Sequence, residues 1–232
     1  MTASRTARER VRAELTREIT DIARRQLATE GAGGLSLRAV AREMGMVSSA
    51  IYRYFASRDD LLTALIIDAY NALGETVEQA DAGCPREDFL GRWLAVCHAV
   101  RDWALAHPHE YALLYGSPVP GYQAPQDTIP AAVRDTIVLG HILSEAHHAA
   151  ALTPAQPAPP PPPSLHADAD TVRAFIPDVP DDVIFRGVTG WTAVYGWVSF
   201  ELFGQFNNAI EDRRTAFDHS MRLMAAMMGL AR

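Results

Sequence analysis

Apolar residues recur at three- and four-residue spacing along most of this chain, so an all-α fold is expected. Val11, Leu15, Ile19, Ile22, Ala23 and Leu27 define one amphipathic helix over 6–30, stopped at Gly31. A second long helix opens at Ser57-Arg58-Asp59-Asp60, where a capping serine precedes acids that suit a helix N-terminus, and runs to about Ala80 with Leu61, Leu62, Leu65, Ile66, Ala69 and Leu73 inward. Gly83-Cys84-Pro85 breaks it, and Phe89, Leu90, Trp93, Leu94, Cys97, Val100 and Leu105 mark the next helix over 86–106. Pro108 ends or restarts that helix, 111–115 reads as a short helix, and 116–130 as a loop. Further helices are expected over 129–152, 181–206 and 213–230. Between the first two of these lies a Pro-rich internal linker, 153–166, whose proline run favours an extended polyproline II form.

Between the first two long helices the period shortens. Over 35–61 a small residue, Ala41, is followed four positions on by Gly45 and six further by Ile51, the spacing of a two-helix corner. Ala41 allows close approach, Gly45 suits a left-handed turn, and Val40, Met44, Ile51 and Phe55 fill the wedge. Ser36 caps the first helix of the corner, and Ser48, Ser49, Tyr52 and Arg53 stand near the exposed side of the second. That second helix is the candidate for a DNA major groove.

Charge distribution strengthens the reading. Net charge is −7 over 232 residues, which taken whole argues against nucleic acid. Residues 1–58 nevertheless hold eleven Arg against six Asp or Glu, a balance of +5 that leaves −12 on the remainder. A basic end on an acidic body suits a DNA-binding head, because the phosphate attraction needs only local positive charge. The apolar run 187–200 is shorter than the roughly 18–20 residues a membrane span requires. With no apolar leader either, a cytoplasmic protein without membrane contact is expected. Two cysteines, Cys84 and Cys97, are too few for a disulfide framework or zinc finger.

These observations divide the chain into 1–57, a helix-turn-helix DNA-binding domain of three helices, and 58–232, a larger helical domain suited to dimerisation. An apolar penultimate helix followed by a last helix with Met221, Met224, Met227 and Met228 offers more apolar surface than one body needs, pointing to a homodimer. His141, Glu145 and His148 share one helix face, the basis of an alternative reading as a metal-dependent helical enzyme. A Ser/His/Asp order and a Gly-rich phosphate loop are both missing from the sequence, and no cofactor is implied. A third reading is a DNA-binding scaffold without effector, recruiting a protein partner through its prolines.

The run from Gly34 through Ser36, Ala41, Gly45 and Ile51-Tyr52-Arg53-Tyr54-Phe55 to Ser57-Arg58-Asp59-Asp60-Leu61-Leu62 resembles, without gaps, the head of TetR-type transcriptional regulators. The body is similar, through 106–111 and Trp191-Thr192-Ala193-Val194-Tyr195-Gly196, to a TetR subgroup that usually carries His where Tyr195 stands. The resemblance implies a homodimeric regulator, in the usual case a repressor, whose heads bind a palindromic double-stranded DNA operator and whose bodies hold a small-molecule effector. It places Ser36, Arg38, Ser48, Ser49, Tyr52, Arg53, Tyr54 and Arg58 at DNA-contacting positions. Chemistry then suggests Tyr52 and Arg58 as phosphate clamps and Arg38 and Arg53 for guanine edges, with core packing as the other role open to Tyr54. An effector pocket with aromatic walls is expected from Trp93, Cys97, Trp103, Tyr111, Tyr115, Trp191 and Tyr195, suiting an apolar or aromatic ligand. Cys97 could serve as a thiol sensor or as inert core, and lacks a basic sequence neighbour to activate it.

Overall fold

The computed structural model describes residues 3–154 and 159–230, with side chains from residue 7 onward. Its helices are α1 (Ala3–Gly34), α2 (Leu37–Glu43), α3 (Ser48–Ile51), α4 (Arg58–Ala82), α5 (Phe89–Ala106), α6 (Pro108–Tyr115), α7 (Ile129–Ala132), α8 (Arg134–His148), α9 (His166–Arg173), α10 (Asp181–Leu202) and α11 (Arg213–Met228). No strand occurs among the described residues. The chain forms two compact units, 1–70 with 107–130, and 71–106 with 131–232. Position 57/58, where the DNA-binding and effector domains were expected to meet, lies inside the first unit, and α4 runs from one unit into the other.

In the first unit, the apolar stripe of α1 meets the two-helix corner. Ile19, Ala23, Val40, Ala41 and Ile51 are fully buried, with Phe55, Leu61, Leu62 and Leu65 closing the cluster. Each of the larger side chains among them contributes roughly 1.5–3 kcal/mol of hydrophobic stabilisation. The helical path of α1 is interrupted at Gly31, at φ 68° and ψ 177°. Ser36 caps α2 by accepting from the Ala39 amide at 3.4 Å. Gly45 turns the chain at φ +67°, where a side chain would be strained, and lets the Met46 amide reach the Ala41 carbonyl at 2.8 Å. The turn thereby satisfies one of the carbonyls left open at the end of α2.

The second unit is built around α5, which packs against α8, α10 and α11. Trp93, Val96, Cys97 and Val100 are buried there with Phe217, Met221 and Met228, and the Trp93 indole donates to the Met221 carbonyl at 2.9 Å. Two arginines are also buried on α5. Arg101 makes a bidentate pair with Glu201 of α10, at 2.8 and 2.6 Å, and Arg92 pairs with Asp81 and Glu145. Low surroundings of water make such pairs sensitive to loss of one partner.

Several elements depart from expectation. The helix expected over 129–152 is interrupted at Val133, leaving α7 and α8, and α9 occupies a stretch that showed no clear period. Of the methionines expected to face a partner, Met221 and Met228 are core, while Met224 and Met227 are half-buried. Within the Pro-rich linker, 155–158 lies outside the described residues, so its expected extended form is not described there. No described helix is long and apolar enough to cross a membrane.

Candidate DNA interface and apolar cavity

α3 presents its polar side outward. Ser48 and Ser49 of α3, Tyr52 and Arg53 just after it, and Arg38 of α2 are exposed, Tyr52 at 45%. Ile51 and Phe55 anchor the opposite side in the core, so the helix cannot rotate without exposing apolar surface. A contact that spacing could not disclose braces its end. Arg12 of α1 donates to the Arg53 carbonyl at 2.9 Å and lies over the Tyr54 ring, 5.5 Å from its centroid. Tyr54 is half-buried against the head core, which gives it a packing role. Arg58, expected as a phosphate clamp, instead donates to the Ala32 carbonyl at 2.6 Å and the Leu35 carbonyl at 3.2 Å. With its guanidinium held by the backbone before α2, it fixes the corner.

The second unit holds an apolar cavity of about 160 Å³ between α8, α10 and the residues after α9, with Trp93 of α5 in its wall. Trp93 and Trp191 are the two predicted pocket residues that line it. Leu139, Leu143, Val183 and Ile184, which aromatic content alone did not single out, form much of the rest. A neighbouring recess shares Thr136, Val172 and Ile176 with it and extends to exposed Phe175.

The other expected pocket residues sit elsewhere. Cys97 and Trp103 are buried in the packing of α5. Burial pushes the Cys97 thiol well above its ordinary value, which suits inert core. Tyr111 and Tyr115 belong to the first unit and stack on each other at 5.0 Å, with Tyr70 edge-on to Tyr115. Tyr195 packs against Trp191 and donates to the Asp135 carboxylate. Burial raises the Asp135 carboxyl, against the opposing pull of Tyr195 and backbone amides.

The metal reading meets a direct obstacle, because the Glu145 carboxylate is held by Arg86 and Arg92 at 2.8 Å. No group of three potential metal ligands occurs among the described residues.

A corner of two helices with a buried apolar wedge, an exposed polar second helix and a basic approach defines a helix-turn-helix DNA-binding protein. Comparison with known proteins then identifies the lineage. Residues 19–65 match the family described as "Bacterial regulatory proteins, tetR family", and residues 93–224 match "Tetracyclin repressor-like, C-terminal domain". The chain is 40% identical to the HTH-type transcriptional regulators Rv1816 of Mycobacterium tuberculosis and Mb1846 of Mycobacterium bovis, covering 97% of this chain and 94% of each of them. It is also similar to the crystal structure of the regulatory protein SCO4313, at 34% identity and TM-score 0.76, covering 93% of this chain and 97% of that one. The chain belongs to the TetR family of DNA-binding transcriptional regulators. That family is one of regulators rather than enzymes.

Proposed function

We propose that this regulator is a homodimeric repressor that binds a palindromic operator and is released by a small apolar or aromatic effector. The observation that carries the DNA part is the exposed face of α3, with Ser48, Ser49, Tyr52 and Arg53 outward and its C-terminal end braced by Arg12. In this reading Arg53 and Arg38 contact base edges, Tyr52 contacts a phosphate, Ser36 offers the α2 N-terminus to another, and Arg58 and Tyr54 position the corner. The DNA-contacting residues lie within 1–58 in the first unit, and effector binding and dimerisation belong to the second, 71–106 with 131–232. Exposed Phe200 on α10 and Leu223 on α11, 52% and 53% accessible, support a dimer face on those helices. The cavity walled by Trp93, Trp191, Leu139 and Val183 is the effector site.

Footprinting on DNA flanking the gene tests the reading. Two related half-sites, centred about 34 Å apart or a further whole turn, are expected. A single asymmetric half-site would remove the dimer, and uniform weak protection would remove operator recognition.

A further inference from the structure

The apolar cavity of the second unit holds one polar group that nothing in the protein satisfies. Trp191 lines the cavity, and its indole Nε1 is buried with no hydrogen-bond partner among the described residues. Buried indole N–H groups ordinarily find an acceptor, so an unpaired one calls for an explanation. The other indole on the lining is already engaged, since Trp93 donates to the Met221 carbonyl at 2.9 Å. Thr136 is the remaining polar residue there, and no charged side chain or histidine lines the cavity among the described residues. A buried water wants about three polar partners, more than Trp191 and Thr136 supply on aliphatic walls.

The lining also bounds the occupant. A cavity of roughly 150 Å³ with aliphatic and aromatic walls takes a benzene ring, and this one measures about 160 Å³. Its walls are close-packed, because a Cβ at Gly140 would lie 2.8 Å from Ile176 Cγ2 and one at Gly187 2.7 Å from Leu143 Cδ1. An ion would lose its hydration there without meeting an opposite charge. The adjoining recess, again without a charged side chain, leads out to exposed Phe175.

We propose that the cavity takes a neutral compound of about the size of one ring, carrying a carbonyl or ether oxygen that accepts a hydrogen bond from the Trp191 indole. An indole N–H only donates, so the ligand must supply the acceptor. The inference rests on the effector reading above and narrows it from apolar compounds in general to those with one acceptor, which sets Trp191 apart from the aliphatic residues around it.

Three probes of similar size test it by isothermal calorimetry: acetophenone, ethylbenzene, which lacks the acceptor, and benzoate, which is charged. Each is titrated into wild type, Trp191→Phe and the cavity-filling Leu139→Trp, with folding checked by circular dichroism. The ratio of acetophenone to ethylbenzene affinity is expected to fall about tenfold from wild type to Trp191→Phe, the size of one hydrogen bond. Taking a ratio cancels the space that phenylalanine opens and the two probes' different transfer from water. Benzoate is expected to bind at least about tenfold more weakly than acetophenone. If Trp191→Phe does not fold, the Trp191 indole N–H resonance of 15N-labelled wild type carries the test, and acetophenone should move it further than ethylbenzene does. An unchanged affinity ratio, equal shifts, or benzoate binding as well as acetophenone overturns the proposal while leaving an apolar effector cavity. Acetophenone binding undiminished in folded Leu139→Trp places the site elsewhere and overturns it too. Failure of all three probes to bind wild type overturns the effector reading with it.

Discussion

Arg58 closes a small circuit at the root of the DNA-binding corner, its guanidinium reaching back to the carbonyls of Ala32 and Leu35. Arg58→Ala should therefore lower stability by about 1.5–3 kcal/mol, the range for a hydrogen bond to a charged group, measured by urea unfolding. The Arg53 side chain is exposed, and its amide bond to the Ala50 carbonyl would survive truncation, so Arg53→Ala should stay within about 0.5 kcal/mol of wild type in the same measurement. Equal losses would mean that Arg58 is not the brace. The outward positions of Ser48, Ser49 and Arg53 were legible in the sequence because helical periodicity decides them once Ile51 and Phe55 are inward. The braces were not. Arg58 bonds to residues 23 and 26 positions earlier and Arg12 to one 41 positions later, and an arginine's own identity does not say whether it meets a phosphate or a carbonyl.

Among the helices, α5 joins its neighbours through buried charge as well as apolar packing. Arg101→Met should destabilise by about 3–5 kcal/mol by leaving Glu201 buried and unpaired, whereas Arg101→Met with Glu201→Leu should recover most of the loss in thermal unfolding. Acid tests the linkages of α4. Arg134 holds the Glu78 carboxyl below its usual range through hydrogen bonds. Burial opposes the charge on Asp81, but the donors of Arg92 and Arg86 outweigh it and hold that carboxyl low as well. Their folded values are depressed, so the stability they contribute is present above the ordinary carboxylate range near pH 4 and is lost as pH falls through the lowered values. Arg134→Gln should show a shallower acid loss than wild type, and an unchanged acid limb would contradict the assignment. Most helices were readable from their apolar spacing, while the break at Val133 and the short polar α9 were not, because neither interrupts or creates a strong apolar stripe. The cavity was half legible for a related reason. Choosing residues by aromatic type found Trp93 and Trp191, but the lining is set by which faces of α8 and α10 meet, and aliphatic Leu139, Leu143, Val183 and Ile184 stand on those faces.

At the scale of the whole molecule, the sequence divides its charge, +5 over the first 58 residues and −12 over the rest. That division favours DNA at one end of the chain and leaves the other free for packing and regulation. A dimer through α10 and α11 would cover Phe200 and Leu223. Phe200→Glu with Leu223→Glu should therefore halve the mass in sedimentation equilibrium while the helical circular dichroism is retained, and an unchanged mass would place the dimer face elsewhere. The reading of base sequence is assigned to α3. It is tested most directly by titrating wild type and Arg53→Ala against the operator and a panel of single-base variants at one fixed salt concentration. Wild type should discriminate at one base pair in each half-site by about 1–3 kcal/mol, and Arg53→Ala should lose that discrimination while keeping its other preferences. An identical preference profile for the two proteins would contradict the account.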